Sequence, residues 1–234
     1  MTPNPSLILV IETDRNLGHA IVNQLIADDH PAKLALSTNH AELLAGREPP
    51  RLVVLGALDS PCGALELLRK IRAGGSPDTS PWPQDVPVIV LSSNTQEPDL
   101  LRAYAAGADD FLARPASYLE LRARLEAIMR RTETPRHNQV IQVGPLAINT
   151  GAHVATLHSK PITLRHMEYN LLLHLASDPR RVFHKHELMR DVWDYRAAGS
   201  TRTLDSHTSR LRHKLSTNGE RWIINVRGVG YRLI

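Results

Sequence analysis

Two segments decide the fold of the C-terminal part of this chain: TRTLDSHTSRLRHKL (residues 201–215) and, after a polar hinge, RWIINVRGVGYRLI (residues 221–234). In the first segment, four residues recur at helical spacing and predict the buried stripe of an amphipathic helix: Leu204, Thr208, Leu211 and Leu215. The second segment alternates like a strand and then turns at Gly228 and Gly230. It therefore predicts a β-hairpin that ends the chain.

Polar and basic residues fill the opposite face of this predicted helix: Arg202, Ser206, Ser209, Arg210 and His213. A basic helix beside a basic hairpin suits double-stranded DNA, because a helix fits the major groove and arginine bonds bidentately to guanine edges. A solvated charged face is the alternative interpretation of such a helix taken alone.

Five stretches of the last hundred residues resemble the winged helix-turn-helix effector of OmpR/PhoB-type response regulators. They are VGPLAIN (143–149), LRHMEYNLLLHLA (164–176), DPRRVFHKHELMRDVW (178–193), RTLDSHTSRLRHKL (202–215) and VRGVGYRL (226–233). The resemblance implies an α+β effector whose recognition helix spans about 203–215. The DNA-binding residues that it implies are Arg202, Thr203, Ser206, Ser209, Arg210, Arg212, His213, Arg227 and Gly228.

The resemblance also implies separate roles for three arginines. Arg210 is expected to contact a base and Arg212 a phosphate oxygen. Arg227, at the hairpin tip, is expected to enter the minor groove, and Gly228 permits the tight turn. The segment between the second and third effector helices, residues 194–201, often faces RNA polymerase in this family, which makes the polymerase an expected partner.

Composition agrees with a DNA-binding domain joined to a separate control domain. From Gln139 onward, 14 Lys and Arg face 7 Asp and Glu, a net charge of +7, whereas the preceding residues carry −3. A basic part beside an acidic one is typical of a nucleic-acid reader under separate control. We expect a first domain at 1–130, a polar linker at 131–138 and the effector at 139–234.

Other features of the composition limit the class of protein. No apolar run approaches the roughly 20 residues that span a bilayer, and the first residues carry no basic segment typical of a secretory signal. A lone Cys62 rules out an internal disulfide framework. We therefore expect a cytoplasmic protein without membrane association.

The N-terminal half alternates short apolar runs with helical patterns. The runs are SLILVI (6–11), AKLALS (32–37), RLVVL (51–55), PVIVL (87–91) and FLA (111–113). Continuous apolar strands separated by helices indicate a parallel sheet covered on both faces. Five such units predict a doubly wound, flavodoxin-like α/β domain, with its site at the carboxyl ends of the strands.

This half resembles a receiver domain, most closely in ILVIETD (8–14) and AGADDFLARP (106–115). The resemblance places the phosphorylation pocket at Glu12, Thr13, Asp14, Gly56, Ser92 and Arg114. Receivers need an acidic pair for magnesium, a nucleophilic aspartate, a hydroxyl and a lysine. Here Thr13 replaces one of the two acids, and Gly56 replaces the nucleophilic aspartate. Arg114 replaces the lysine, so a planar guanidinium stands in place of a compact ammonium group. These departures predict an atypical, or orphan, response regulator without a phosphorylation switch.

Receivers of this subfamily dimerise through charged residues of the fourth helix, fifth strand and fifth helix. The matching residues are Asp109, Asp110, Glu120, Arg124 and Arg131. They predict a homodimer, with unpartnered surface charge as the alternative.

The leading interpretation is a sequence-specific transcriptional regulator that binds DNA as a dimer without phosphorylation. Two alternatives remain open: a small-molecule effector in the vacated acidic pocket, and an adaptor whose main partner is a protein. An enzyme is disfavoured, because the one catalytic constellation of the fold lacks its nucleophile. Twelve histidines raise the question of a metal, but the spacings of His184 with His186 and of His166 with His174 lack the partners of a zinc site. We expect neither a metal nor another cofactor.

Overall fold

The computed structural model describes most of the chain. The contacts between its residues divide the chain into two compact units, residues 1–125 and 126–234. The described residues are 7–58, 63–73, 80–83, 85–93, 96–133 (backbone alone for 131–133), 139–193, 201–216 and 220–234. Asp59 and Cys62 lie outside them, as do residues 194–200.

The N-terminal unit has the predicted doubly wound architecture. Its parallel sheet has the order β2-β1-β3-β4-β5. The strands are β1 (Ile8–Ile11), β2 (Ala32–Ala35), β3 (Leu52–Leu55), β4 (Val88–Ser92) and β5 (Asp110–Ala113). The helices are α1 (Arg15–Ala27), α2 (Thr38–Arg47), α3 (Gly63–Ala73), α4 (Glu97–Ala106) and α5 (Tyr118–Glu133).

The central strands of this sheet are buried on both faces, as their continuous apolar sequence requires. All four residues of β1 and of β3 are buried. Trp82, which precedes β4, packs into the same core with 3% of its surface exposed. The parallel strands bring the residues after β1, β3 and β5 to one edge, where the receiver site was predicted.

A buried ion pair fastens α3 to the start of β5. Arg72 Nη2 lies 2.6 Å from Asp109 Oδ2, with 4% and 0% of the two side chains exposed. The same carboxylate oxygen accepts the backbone N–H of Val88 at 2.8 Å. The prediction of Asp109 at a dimer surface is therefore wrong, because its side chain is inside the domain.

The described residues of the C-terminal unit form two antiparallel sheets and three helices. A four-stranded sheet comes first, and a three-stranded sheet of order β10-β12-β11 holds the C-terminal hairpin. Its elements are β6 (Val140–Val143), β7 (Leu146–Asn149), β8 (Val154–Leu157), β9 (Lys160–Ile162), α6 (His166–Ala176), β10 (Phe183–His184), α7 (Lys185–Trp193), α8 (Arg202–Leu215), β11 (Ile223–Val226) and β12 (Gly230–Leu233).

The hairpin needs glycine at Gly230, where strand β12 passes close to β10. A Cβ there would collide with the backbone carbonyl of Phe183 and lie 3.0 Å from His184 Cα. The same strand continues to Leu233, which is fully buried. The paired β10 and β12 therefore fix the hairpin to the body of the effector.

Helix α5 begins in the first domain and continues to Glu133, so the first three residues of the expected linker are helical. Residues 134–138 lie outside the described part. In the portions of the chain that the structure describes, no helix combines the length and apolar character needed to cross a membrane.

We predict that Asp109→Ala destabilises the N-terminal unit by about 3–5 kcal/mol, because it removes the counter-ion of the buried Arg72 guanidinium. Urea denaturation of the full chain, followed by circular dichroism, measures the loss. Glu120→Ala is the control, since the Glu120 side chain is 47% exposed and its removal should change stability by about 0–1 kcal/mol. Equal unfolding midpoints for the two variants would contradict the core role of Asp109.

Candidate functional site

Helix α8 presents a polar face to solvent. Arg202, Ser209 and His213 are exposed and Ser206 is half-buried. Their spacing of four, three and four residues places them on one stripe of the helix. This stripe is the surface that a DNA groove can reach first.

The opposite side of α8 forms part of the effector core. The predicted stripe of Leu204, Thr208, Leu211 and Leu215 is buried throughout. His207 is also fully buried, and its ring lies 5.3 Å from that of Trp193, so packing is its role. Thr203 is only 5% exposed. Its side chain faces inward, which corrects its prediction as a DNA contact.

A buried carboxylate on α6 holds one flank of α8. Glu168 is fully buried, its Oε2 lies 2.6 Å from Lys214 Nζ, and its Oε1 lies 3.4 Å from Arg210 Nε. Burial pushes the pKa of Glu168 upward, but Lys214, the backbone N–H of Arg165 and Arg210 outweigh it and hold the pKa below its usual value. Glu168 is therefore an anion that anchors two cations of α8.

Arg210 consequently lies against its own domain. Its side chain is 18% exposed, and Nη2 is 2.7 Å from Nδ1 of His207. A bidentate contact with a base would require the guanidinium to leave this position, while Lys214 remained beside Glu168.

Arg212 lies on the other flank and connects α8 to the hairpin. Its Nε donates to the backbone carbonyl of Ile223 at 3.2 Å. At the hairpin tip, Arg227 is exposed and Gly228 has a left-handed φ of 73°. The predicted wing geometry is therefore present, with one arginine at the tip and a second at the base of the hairpin.

A second acidic residue connects α8 to α7 and to the hairpin. Asp205 accepts hydrogen bonds from Lys185 Nζ and from the Tyr231 hydroxyl, both at 2.7 Å. Burial and the bond to Asp205 raise the pKa of Tyr231 above its usual value. Tyr231 is therefore buried, bonded to α8 through Asp205, and keeps its proton.

The sequence interpretation missed Glu168 and Asp205. Glu168 is the single acid in the otherwise apolar helix HMEYNLLLHLA, and Asp205 is the single acid of the basic α8. A lone carboxylate in such a setting is the signal that could have found them, since a buried charge requires a partner.

The strand-end cluster of the N-terminal unit consists of Glu12, Thr13, Asp14, Gly56, Ser92 and Arg114. Glu12 is its centre, with 1% of its surface exposed. It accepts backbone N–H groups from Asp14 at 3.0 Å and Ala57 at 3.2 Å, and it forms an ion pair with Arg114 Nη2. The structure therefore brings the predicted residues together, with Glu12 and Arg114 in direct contact.

Asp14 and Thr13 form side-chain hydrogen bonds with the backbone around this cluster. Asp14 caps α1, because its Oδ1 accepts from Asn16 N and Leu17 N. The Thr13 hydroxyl lies 3.3 Å from the carbonyl of Ala57. Ser92 ends β4, and its carbonyl accepts the backbone N–H of Arg114 at 2.8 Å.

Gly56 has almost no room for a side chain. A Cβ at this position would overlap Glu12 Oε2 and lie 2.6 Å from Arg114 Nη2. The ion pair therefore occupies the space into which a residue at position 56 would project. The pair narrows the space for a small molecule in the vacated acidic pocket, where a cavity of about 290 Å³ remains beside Gly56 and Ser92.

The remaining candidates for the dimer surface form contacts within the N-terminal unit. Asp110 is 2% exposed and lies 3.0 Å from Arg124 Nη1, so its side chain is inside the domain, which corrects its prediction at a dimer surface. Arg124 Nη2 also lies 2.7 Å from the exposed carboxylate of Glu120. Arg131 lies in α5, but its side chain is outside the described part.

One three-residue group has the composition of a metal site. His174, Glu187 and Asp191 offer ligand atoms within 4.8 Å of one another. This group is different from the two histidine pairs of the sequence analysis, which are His184 with His186 and His166 with His174. Each carboxylate, however, already has an arginine partner: Glu187 lies 2.6 Å from Arg181, and Asp191 lies 2.7 Å from Arg190. These cations disfavour a divalent ion here, and we propose no metal site.

A parallel α/β unit followed by a winged helix with a basic exposed face defines the class of two-domain DNA-binding response regulators. A family model described as "Transcriptional regulatory protein, C terminal" matches residues 159–233. The DNA-binding response regulator MtrA of Mycolicibacterium smegmatis is 31% identical over 228 residues, which cover 96% of this chain and 95% of that protein.

Two further comparisons agree with this class. Response regulator MprA of Mycolicibacterium vanbaalenii is 31% identical over 234 residues, covering 98% of this chain and 97% of that protein. The solved structure of a single-residue mutant of RitR matches with a TM-score of 0.70 at 25% identity, covering 98% of this chain and 99% of that one. The chain belongs to the OmpR/PhoB family of DNA-binding response regulators.

We predict that Gly56→Ala lowers the free energy of unfolding by about 1–3 kcal/mol, because its methyl group must displace the Glu12–Arg114 pair. Thermal and urea unfolding measure the change. Gly46→Ala is the matched control in α2: its Cβ would meet Pro81 at 3.6 Å, an ordinary contact, and helix propensity should raise stability by up to about 1 kcal/mol. A Gly56→Ala protein as stable as the wild type would contradict the crowding of this cluster.

Proposed function

We propose that this response regulator is a sequence-specific transcriptional regulator that binds promoter DNA as a dimer and needs no phosphorylation. The observation that carries the second part is Gly56, which lies at the end of β3 with the Glu12–Arg114 pair packed against it. Phosphoryl transfer to a receiver requires a carboxylate nucleophile at this position, and glycine has none. The receiver is therefore an atypical one in this proposal.

The metal side of the receiver chemistry supports the same proposal. Glu12 is already neutralised by Arg114, and Asp14 caps a helix with the oxygen that it offers to the backbone. Magnesium binding in this fold needs carboxylate oxygens that are free to coordinate it. Glu12 therefore lacks this freedom, and one of the two carboxylate oxygens of Asp14 is already engaged.

For DNA, we propose that the exposed stripe of Arg202, Ser206, Ser209 and His213 enters the major groove. Arg227 and the turn at Gly228 reach the neighbouring minor groove. Arg212 lies between the helix and the hairpin, which suits a phosphate contact.

Arg210 remains the proposed base contact. It starts from an ion pair with Glu168 and can exchange this partner for a guanine edge, because Lys214 stays 2.6 Å from the carboxylate. After this exchange Glu168 is still paired with Lys214. DNA binding therefore does not leave a buried carboxylate without a counter-ion.

We propose that dimerisation uses the surface around α5, where Glu120 and Arg124 are held in an ordered pair. Arg131 extends the same helix. RNA polymerase is a further proposed partner through residues 194–201, on the family resemblance alone. A protein adaptor is the weaker alternative, because α8 and the hairpin retain a full set of basic residues.

We predict that Arg210→Ala costs about 1–3 kcal/mol on the operator and relaxes discrimination at one base pair. Arg212→Ala should weaken operator and scrambled duplexes alike and lower the salt slope by about one unit. Arg227→Ala should act mainly at A·T-rich flanks. Titrations at several salt concentrations, on an operator defined by genome-wide mapping of bound sites, separate these effects.

Arg190→Ala is the control for net charge in these titrations, since Arg190 is exposed on α7 and lies outside the proposed interface. It should leave affinity and salt slope nearly unchanged. If Arg210→Ala weakened both duplexes equally while Arg212→Ala changed base preference, the proposed orientation of α8 on the groove would be wrong.

We predict that acetyl phosphate and magnesium add no phosphoryl group to the protein and change neither its self-association nor its operator affinity. Intact mass spectrometry, sedimentation and titration give the three readouts. A stoichiometric gain of one phosphoryl group that Asp59→Ala abolishes would overturn the proposal, because it would identify an alternative acceptor. A protein that remained monomeric on paired half-sites would defeat its dimeric part.

A further inference from the structure

A cavity of about 650 Å³ opens between α1 and the beginning of α5, lined by residues of the N-terminal unit. Its walls are mostly apolar. They are formed mainly by Leu17 and Ile21 of α1, Leu91 of β4, Leu112 of β5 and Leu121 of α5. A concave apolar site of this volume has the dimensions of a site for a small organic molecule.

The cavity has one cationic wall, Arg114. The Nη2 of this guanidinium is committed to Glu12, but its Nε is buried and has no hydrogen-bond acceptor among the described residues. A buried N–H group without an acceptor carries a free-energy cost, and a guanidinium recognises oxyanions best. The side chain that lines the cavity therefore offers a donor that the protein does not use.

We propose that this cavity binds a small apolar molecule that ends in a carboxylate or another oxyanion, with the oxyanion bonded to Arg114. The apolar body of the molecule lies against the leucines of α1, β4, β5 and α5. This site is new with respect to the proposed DNA-binding function. It shares Arg114 with the strand-end cluster, but its other walls come from α1, β4, β5 and α5.

Contacts around the cavity connect its occupancy to α5. Asp28, which follows α1, accepts the Tyr118 hydroxyl at 2.6 Å and lies 3.2 Å from Arg122 Nη1. Tyr118 also lines the cavity. A molecule held between the two helices thus acts on their separation, and α5 carries the charged residues of the proposed dimer surface. Glu12 competes with the ligand for Arg114, so it limits the affinity.

The test uses two fluorescent probes of similar shape. One is 8-anilino-1-naphthalenesulfonate, which is an anion, and the other is neutral N-phenyl-1-naphthylamine. The wild-type full chain should bind one anionic probe more tightly than the neutral one. Glu12→Gln should tighten the anionic probe about tenfold or more, because Arg114 loses its competing partner. Its effect on the neutral probe should be small.

A double variant, Glu12→Gln with Arg114→Met, removes both charges and leaves no buried carboxylate unpaired. It should lose about tenfold or more of the anionic affinity relative to Glu12→Gln and keep the neutral affinity. Circular dichroism and thermal unfolding of each variant verify that it folds. Equal loss of both probes, or no loss of either, would overturn the role of Arg114.

The position of the site is tested by filling its mouth. Ala20→Phe should reduce the binding of both probes at least tenfold, because Ala20 is an exposed residue of α1 that lines the cavity. Ala27→Phe is the matched control, an exposed alanine of the same helix outside the cavity lining. Unchanged probe binding to Ala20→Phe, or no probe binding to the folded wild type, would refute the site.

Discussion

The ion pair between Glu12 and Arg114 is the constraint on which the N-terminal unit depends. It joins the carboxyl end of β1 to that of β5 across the sheet, and both side chains are largely withdrawn from water. Removing one partner would leave the other charge buried, which costs several kcal/mol. The pair therefore stays closed. Its position excludes a side chain at Gly56, engages the acid that a metal would need and fixes Arg114 at the wall of the α1–α5 cavity.

A second buried carboxylate organises the effector in the same physical way. Glu168 holds Arg210 and Lys214, so two cations of α8 share one buried anion of the domain before DNA is present. This arrangement separates the basic residues of the helix into two groups. Arg202 lies on the exposed stripe, whereas Arg210 would have to exchange Glu168 for a base edge to make the proposed contact. Selectivity gains from such an exchange, because only a partner that satisfies the guanidinium as well as Glu168 does can draw it out.

Local patterns predicted much of the fold. The apolar stripe of α8 predicted its buried face, because helical periodicity is a property of neighbouring positions. The family resemblance placed the start of the helix within one residue. Asp109 and Thr203 were mistaken for surface residues. The partner of Asp109 is Arg72, 37 positions earlier, and only the packing of α3 against β5 brings the two together. The sequence alone does not show whether a charged side chain is buried.

The residues Gly56 and Arg114 depend on each other, because the guanidinium of Arg114 occupies space beside Gly56. The planar guanidinium reaches Glu12 through the space beside Gly56, and a Cβ there would lie 2.6 Å from Nη2. A carboxylate introduced at position 56 would meet Glu12 and Arg114 already in contact, so both side chains would have to shift before it could act as a phosphoacceptor. Lysine at position 114 would present a compact ammonium on a flexible stem and could withdraw from that space. Arginine instead reaches Glu12 with one nitrogen of its planar fork and keeps Nε as a donor for the proposed ligand.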